Sequence, residues 1–155
     1  MTEIVLRPVG WVRSARVDPK DDHWDAVEAC VELDAERFDA DALMGLDSFS
    51  HVEVVFMFHR VSLDRICQGS RHPRNNPDWP RVGIFAQRGK SRPNRVGLTT
   101  CRVQRVEGLR LYVRGLDAID GTPVLDIKPW MSGFAPRGDQ REPPWATELM
   151  ARYWS

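Results

Sequence analysis

Residues 51–59 read His-Val-Glu-Val-Val-Phe-Met-Phe-His and carry the strongest strand pattern in the chain. β-Branched and aromatic residues favour extended backbone. The second half of the run is apolar on both faces, which is typical of a strand that is covered on both sides. We therefore predict a strand here, in a central position of its sheet.

Other runs predict further strands around this one. They are residues 4–12, 27–33, 82–86, 98–106, 109–115 and 123–128. Residues 98–115 indicate a β-hairpin, because two β-prone runs flank the short turn at Glu107 and Gly108. Between the strands, residues 68–81 are rich in Pro, Asn, Arg and Gly and predict a long loop. Two helices are predicted: residues 39–46, capped by Asp39, and residues 144–154, whose apolar residues recur every four positions.

About seven short strands with one or two peripheral helices, including a C-terminal one, indicate an all-β (mostly β) fold. A small closed β-barrel is favoured over a sandwich, because closure removes exposed strand edges. The 155 residues fit a single domain over residues 1–155. The alternating βα pattern and the Gly-x-Gly-x-x-Gly fingerprint of a doubly wound fold are both missing, so a Rossmann crevice is excluded.

Composition narrows the functional class. The chain has 22 Lys+Arg and 22 Asp+Glu, and a net charge of zero excludes a globally basic nucleic-acid-binding protein. Three widely spaced cysteines argue against a disulfide framework or a zinc ribbon, and reduced thiols are expected. No His/Cys/Asp cluster has metal-ligand spacing, so we expect no metal. No signal peptide or membrane-length apolar run is present, which predicts a cytoplasmic protein with no membrane partner.

Residues 71–95 hold a local excess of positive charge. Seven basic residues face a single acid, Asp78; they are Arg71, Arg74, Arg81, Arg88, Lys90, Arg92 and Arg95. Guanidinium groups bind phosphates and carboxylates, and an RNA backbone is one candidate ligand, with Trp79 as a stacking platform. A solvated loop is the alternative. The sequence Arg92-Pro93-Asn94 favours a shaped loop, because Pro fixes φ and Asn suits tight turns.

An acidic segment follows further along the chain. Asp117 and Asp120 lie at a turn, where a carboxylate can cap backbone amides or accept hydrogen bonds from a ribose or an amino group; the spacing favours the structural role. Asp126 and Lys128 lie on one face of a strand and are predicted to form an ion pair. His59 ends the central strand, where a ligand contact and a buried structural histidine are both open.

Four separated motifs carry a resemblance. They are Val-Gly-x-Val-Arg-Ser at residues 9–14, Gly-Leu-x-x-Phe-Ser-His at residues 45–51 followed by Phe-His at 58–59, Phe-Ala-x-Arg-x-x-x-Arg-Pro-Asn-x-x-Gly at 85–97, and Asp-x-x-Asp-Gly-Thr-Pro-Val-Leu-Asp-Ile-Lys-Pro at 117–129. In this order they resemble the TsaA-like family, also called YaeB, VirR or TrmO. The resemblance covers nearly the whole chain from about residue 4 to residue 130.

The resemblance implies a small β-barrel that binds S-adenosylmethionine (SAM), usually as a homodimer. The activity it implies is methyl transfer to the exocyclic nitrogen of threonylcarbamoyl-adenosine, next to the anticodon of tRNA, with no role for DNA. The implied cofactor contacts are His59, Arg60, Arg88, Arg92, Asn94, Leu98, Asp117, Ala118, Ile119 and Asp120. The basic residues left to contact RNA are Arg71, Arg74, Arg81, Lys90 and Arg95. No catalytic residue is assigned, because positioning supplies most of the acceleration in methyl transfer.

Two departures from the family pattern keep alternatives open. The Pro-Arg-Gln motif of the N-terminal loop is replaced by Asp-Pro-Lys-Asp-Asp-His-Trp-Asp at residues 18–25. We also expect the extra C-terminal domain of the longer tRNA enzymes to be missing. The alternatives are a SAM-dependent methyltransferase that acts on a small molecule, and a SAM-binding or RNA-binding module without catalysis.

Overall fold

The computed structural model describes residues 1–155 and contains eight strands and one α-helix. The strands are β1 Gly10–Ser14, β2 Glu28–Leu33, β3 His51–Met57, β4 Ser70–Arg71, β5 Val82–Gly83, β6 Val96–Glu107, β7 Arg110–Arg114 and β8 Pro123–Pro129. The helix α1 covers Pro144–Leu149. Short 3-10 turns cover Leu46–Ser48, Leu63–Arg65, Pro73–Asn75, Ile84–Ala86, Pro93–Arg95 and Ser132–Phe134.

Six of the strands form a closed antiparallel barrel in the order β1-β2-β7-β6-β3-β8, which confirms the predicted fold class. Strand β3 pairs with β6 along its whole length and with β8 on its other edge, so its predicted central position is confirmed. Inward side chains alternate along each strand and fill the barrel; the fully buried ones include Val12, Val31, Val52, Val54, Leu111, Val113 and Val124.

The predicted hairpin is also confirmed. Strands β6 and β7 pair from Glu107 and Arg110 outward, and Gly108 adopts a positive φ of 59° in the turn. Only glycine takes this conformation at no steric cost. The predicted Asp126–Lys128 ion pair is present at 3.0 Å, with both side chains at least half exposed, so it contributes little to stability.

Two of the predicted strands are wrong at their boundaries. The first begins at Gly10 instead of residue 4, because Pro8 has no N–H to give to a ladder; Ile4 and Val5 are both 80% exposed. The run at residues 82–86 keeps only β5, which pairs with β4, and Ile84–Ala86 turns away as a 3-10 segment.

Neither predicted helix has its predicted extent. Residues 39–46 form successive turns and no α-helix, and Gly45 interrupts them with a φ of 95°. The C-terminal helix is confirmed only as α1, six residues long. Beyond it the backbone bonds to another segment: the N–H groups of Trp24 and Asp25 donate to the carbonyls of Tyr153 and Trp154. Between α1 and this attachment, residues 150–153 form turns instead of regular helix.

The strand order gathers three connections at one end of the barrel. Strands β1, β3 and β7 end there, so residues 15–27, 58–95 and 115–122 all lie at this end, which we call the loop end. The last of these connections joins β7 to β8, which are separated by two strands on either side of the barrel. It therefore crosses the mouth, and Leu116 and Ala118 pack from it into the core. No helix is long and apolar enough to span a membrane.

Candidate functional site

All ten predicted cofactor contacts lie at the loop end of the barrel. They come from two of its connections and from the first residues of strand β6: His59, Arg60, Arg88, Arg92, Asn94, Leu98, Asp117, Ala118, Ile119 and Asp120. Distant parts of the chain are thus brought to one face by the barrel topology. Their roles as cofactor contacts stay predictions, and the local geometry shows what each can offer.

The crossing segment, residues 116–119, has an unusual backbone. None of its four N–H groups donates a hydrogen bond within the chain, and the carbonyls of residues 116–118 accept none. More than nine tenths of buried backbone groups in native proteins are paired, yet Leu116, Ala118 and Ile119 are all buried. The Ala118 side chain packs in the core cluster and the Ile119 side chain is buried, so the backbone is what these two residues offer a ligand.

Asp117 is held by two hydroxyl groups. Thr99, from the inner face of β6, donates to Oδ1, and Tyr153, from the C-terminal segment, donates to Oδ2. No lysine, arginine or histidine lies within ion-pair distance of this carboxylate. Burial, with a smaller effect of Asp117, raises the pKa of nearby Cys101 to about 12, so that thiol stays protonated. Asp117 is therefore a carboxylate without an internal counter-ion.

Sequence reasoning missed both hydroxyl donors. Thr99 lies on a strand, where Thr is common, and Tyr153 belongs to the apolar stripe of the helix predicted over residues 144–154. Neither has a sequence signal that ties it to Asp117.

Asp120 has a structural role as well as an exposed carboxylate. Its Oδ1 accepts the N–H of Ser14 at 3.0 Å, and its own N–H donates to the carbonyl of Arg16 at 2.9 Å. These bonds fasten the β7–β8 connection to the end of β1. The second carboxylate oxygen has no partner within the chain and can accept a hydrogen bond from a ligand.

His59 and Arg60 lie just after the end of β3, and His59 faces the Gly121 turn. The His59 Nε2 atom lies 3.8 Å from the point where a Cβ on Gly121 would sit. Burial, and then the charge of Arg60, lower the pKa of His59, so its imidazole is neutral at pH 7. Arg60 donates through Nη1 to the carbonyl of Val17 at 3.0 Å and joins the two long connections.

The Arg-Pro-Asn loop is organised by its own arginines. Arg92 donates to the carbonyl of Gln87 at 2.6 Å, and Asn94 has a φ of 64°, in the left-handed region that Asn tolerates. Arg88 is exposed and donates through Nη2 to the carbonyl of Leu98 at 2.6 Å. Its remaining N–H groups are free to bind an anion, whereas Arg92 and Asn94 shape the loop.

Most of the predicted RNA-contacting residues are already engaged. Arg74 pairs with Asp22 at 3.0 Å, and the others donate to oxygens of their own loop: Arg71 to Asn75, Arg81 to Ser70 and Arg95 to Val61. Lys90 makes no hydrogen bond or ion pair within the chain. The local excess of charge is real, but much of it stabilises the 58–95 connection.

The loop that departs from the family pattern is built around Arg16. Its guanidinium donates to the carbonyls of Lys20, Asp22 and His23, at 3.3, 2.7 and 2.9 Å, and lies over the buried Trp24 ring at 3.7 Å. The loop curls round an open hollow of about 740 Å³ lined by residues 15–23.

We expect Arg16→Met to lower the free energy of unfolding by about 2 kcal/mol, because three loop carbonyls lose a charged donor. Arg13→Met is the matched control. Arg13 is half exposed and lies 3.9 Å from Glu32, so its loss should cost about 0.5 kcal/mol or less. Urea unfolding measures both, and equal losses would contradict the role given to Arg16.

Comparisons with known proteins converge on one family. Residues 15–135 match the model described as "tRNA-methyltransferase O N-terminal domain". The chain is 40% identical over 108 residues to the "tRNA (adenine(37)-N6)-methyltransferase" of Mus musculus, covering 68% of this chain and 25% of that protein. It is 41% identical over 136 residues to the "Probable S-adenosyl-L-methionine-binding protein" of Methanothermobacter thermautotrophicus, covering 83% of this chain and 90% of that protein.

The fold of the chain is similar to solved structures of the same family. The crystal structure of TrmO from Pseudomonas aeruginosa is 32% identical and superposes with a TM-score of 0.71, covering 91% of this chain and 62% of that one. The chain spans about a quarter of the length of the mammalian relatives it matches.

Proposed function

The chain belongs to the family of the tRNA-methyltransferase O N-terminal domain, and we propose that it is a SAM-dependent methyltransferase acting on the exocyclic nitrogen of threonylcarbamoyl-adenosine in tRNA. The observation that carries this proposal is the crossing segment, where unpaired backbone groups surround the uncompensated carboxylate of Asp117. A ligand that is cationic and has an adenine edge suits this arrangement.

The residues present fit SAM group by group. The backbone N–H and C=O groups of residues 116–119 suit the acceptor and donor atoms of an adenine edge. Asp117 and the free oxygen of Asp120 suit an ammonium group or ribose hydroxyls. Arg88 has spare donors for the methionine carboxylate, because guanidinium forks bind carboxylates bidentately.

When bound, SAM supplies an electrophilic methyl group on a sulfonium. The task of the chain is then to hold the two reactants in line, since positioning contributes most of the acceleration in such transfers. The crossing segment is suited to this task because core packing of Leu116 and Ala118 fixes it. His59 lies close to the Gly121 turn. Because its imidazole is neutral, it does not compete with a cationic ligand for the carboxylates of Asp117 and Asp120.

The proposal for tRNA rests on the basic connection of residues 58–95 and on family membership. Lys90, which makes no hydrogen bond or ion pair within the chain, and Arg81, which is exposed and uses only Nη2 on Ser70, are the side chains best placed to add phosphate contacts. Phosphate contacts dominate affinity for nucleic acids. The cytoplasm, where tRNA is modified, is the proposed location. A homodimer is also proposed, supported by exposed apolar side chains such as Phe85 and Leu98 at the loop end.

The test is mass spectrometry of nucleosides from total tRNA that has been incubated with the purified protein and SAM. We expect one added methyl group on threonylcarbamoyl-adenosine. An unmodified transcript of the same tRNA, which lacks the threonylcarbamoyl group, is the control and should gain no methyl. Absence of a methyl group from both RNAs, with SAM bound, would overturn the proposed acceptor.

Two observations favour a second function, SAM binding without methylation of tRNA. Most of the candidate RNA-contacting guanidiniums are engaged within the chain. In addition, the match to the archaeal SAM-binding protein covers 90% of that protein. Release of S-adenosylhomocysteine in the presence of tRNA separates the two functions, because only the methyltransferase produces it.

A further inference from the structure

The C-terminal segment is fastened to the loop end of the barrel. Backbone N–H groups of His23, Trp24 and Asp25 donate to successive carbonyls of residues 152–154, at 3.1, 2.9 and 2.9 Å. The indole Nε1 of Trp79 donates to Glu148 at 2.8 Å. These bonds connect residues 148–154 with two of the loop-end connections, so the position of the segment is well defined.

This attachment brings one polar group to the site. The Tyr153 hydroxyl donates to Oδ2 of Asp117, while Thr99 donates to Oδ1. With one donor on each oxygen, the carboxylate plane is fixed and its remaining lone pairs have set directions. The hydroxyls are neutral, so they orient the negative charge without cancelling it.

Tyr153 is a permanent donor in this position. Burial, and then the charge of Asp117, raise the pKa of Tyr153 well above its usual range. The hydroxyl therefore keeps its proton throughout the physiological range and remains a hydrogen-bond donor to Asp117.

We propose that Tyr153 is a positioning residue that fixes the Asp117 carboxylate in the orientation that receives the cationic part of SAM. This rests on the proposed function, in which Asp117 contacts SAM. It extends the site beyond the family-matched residues 15–135 into the C-terminal segment. A residue that acts through Asp117 should lose its influence on binding when the charge of Asp117 is removed.

The chain offers a matched control, because it has only two tyrosines. Tyr112 lies on the outer wall of β7 beneath Arg105, away from the loop end. We expect Tyr153→Phe to weaken SAM binding about tenfold in titration calorimetry, as for loss of a hydrogen bond to a charged group. Tyr112→Phe should change it by less than about twofold.

A double-mutant cycle with Asp117→Asn separates positioning from a structural role. In the Asp117→Asn background, Tyr153→Phe should add less than about twofold, because coupled residues are not additive. Full additivity of the two changes would overturn the inference, and so would wild-type affinity in Tyr153→Phe. If the wild-type protein itself does not bind SAM, the proposed function fails as well.

A second measurement does not depend on the folding of Tyr153→Phe. In the Tyr112→Phe protein, tyrosine that is isotope-labelled only at its ε carbons gives one NMR ring signal, from Tyr153. Saturating SAM should shift this signal, and the shift should disappear when Asp117→Asn is added. A signal that does not move on binding SAM would contradict contact between Tyr153 and the ligated carboxylate.

Discussion

Gly10→Ala should destabilise the protein by about 3 kcal/mol, an overpacking cost at the upper end of the usual range. A Cβ at this position would lie 2.4 Å from the carbonyl oxygen of Glu32 and 2.9 Å from Cα of Leu33. Both are backbone atoms, so relief requires β1 and β2 to separate. Denaturant unfolding followed by circular dichroism measures the loss.

The position of Gly10 makes this separation costly. It pairs with Leu33 on β2 and with Val124 on β8, so it lies at the seam where the barrel closes. Gly89→Ala is the control, because nothing lies within 4 Å of a Cβ there. A loss for Gly10→Ala no larger than for the control would mean that the seam is looser than the structure shows.

The barrel itself could be predicted from local patterns. Alternation in β2, and the apolar run of β3, predict half-buried strands because inward residues such as Val31 and Val52 must be apolar. The short turn at Gly108 then predicts the β6–β7 hairpin. These elements can be predicted from their own residues, since the alternation of apolar residues and the residue types of a turn are local properties of the sequence.

The elements whose predicted bounds are wrong depend on partners that are distant along the chain. Residues 4–8 have a strand-like composition but make no backbone–backbone hydrogen bond, and pairing with neighbouring strands starts only after Pro8. The C-terminal stripe predicts helix to residue 154, yet regular helix ends at Leu149, and residues 150–153 turn so that the carbonyls of residues 152–154 meet the N–H groups of residues 23–25. Periodicity does not report such long-range hydrogen bonds.

The site was predictable only in part for the same reason. The family motifs point to Asp117, but its two hydroxyl donors lie 18 and 36 positions away along the chain. Composition predicts the excess of basic residues in the loop. It does not predict that most of their guanidinium groups bind oxygens within the chain. Loop carbonyls without ladder partners need donors, and arginines such as Arg92 and Arg95 supply them.

Arg88→Ala should raise the dissociation constant for SAM by about 10- to 100-fold, because charged hydrogen bonds to a carboxylate contribute about 1.5–3 kcal/mol. Arg88 donates through one Nη to the carbonyl of Leu98, and the other N–H groups of its exposed guanidinium are available to a ligand. Arg81→Ala is the matched control. Arg81 is exposed on the same connection, and it donates to Ser70 at 2.9 Å. Its loss should leave SAM affinity within about twofold of wild type.

A change of ligand isolates the contact that Arg88 is proposed to make. 5′-Methylthioadenosine keeps the adenine and ribose of SAM but lacks the methionine carboxylate, so it should bind wild type and Arg88→Ala equally in calorimetry. The crossing segment would still read its adenine, because residues 116–119 present their backbone independently of Arg88. If Arg88→Ala weakens the binding of both ligands equally, its effect lies in the conformation of the loop, and a contact with the carboxylate is refuted. If Arg88→Ala weakens the binding of SAM alone, Arg88 contacts the methionine end of the cofactor and the crossing segment binds the adenine end.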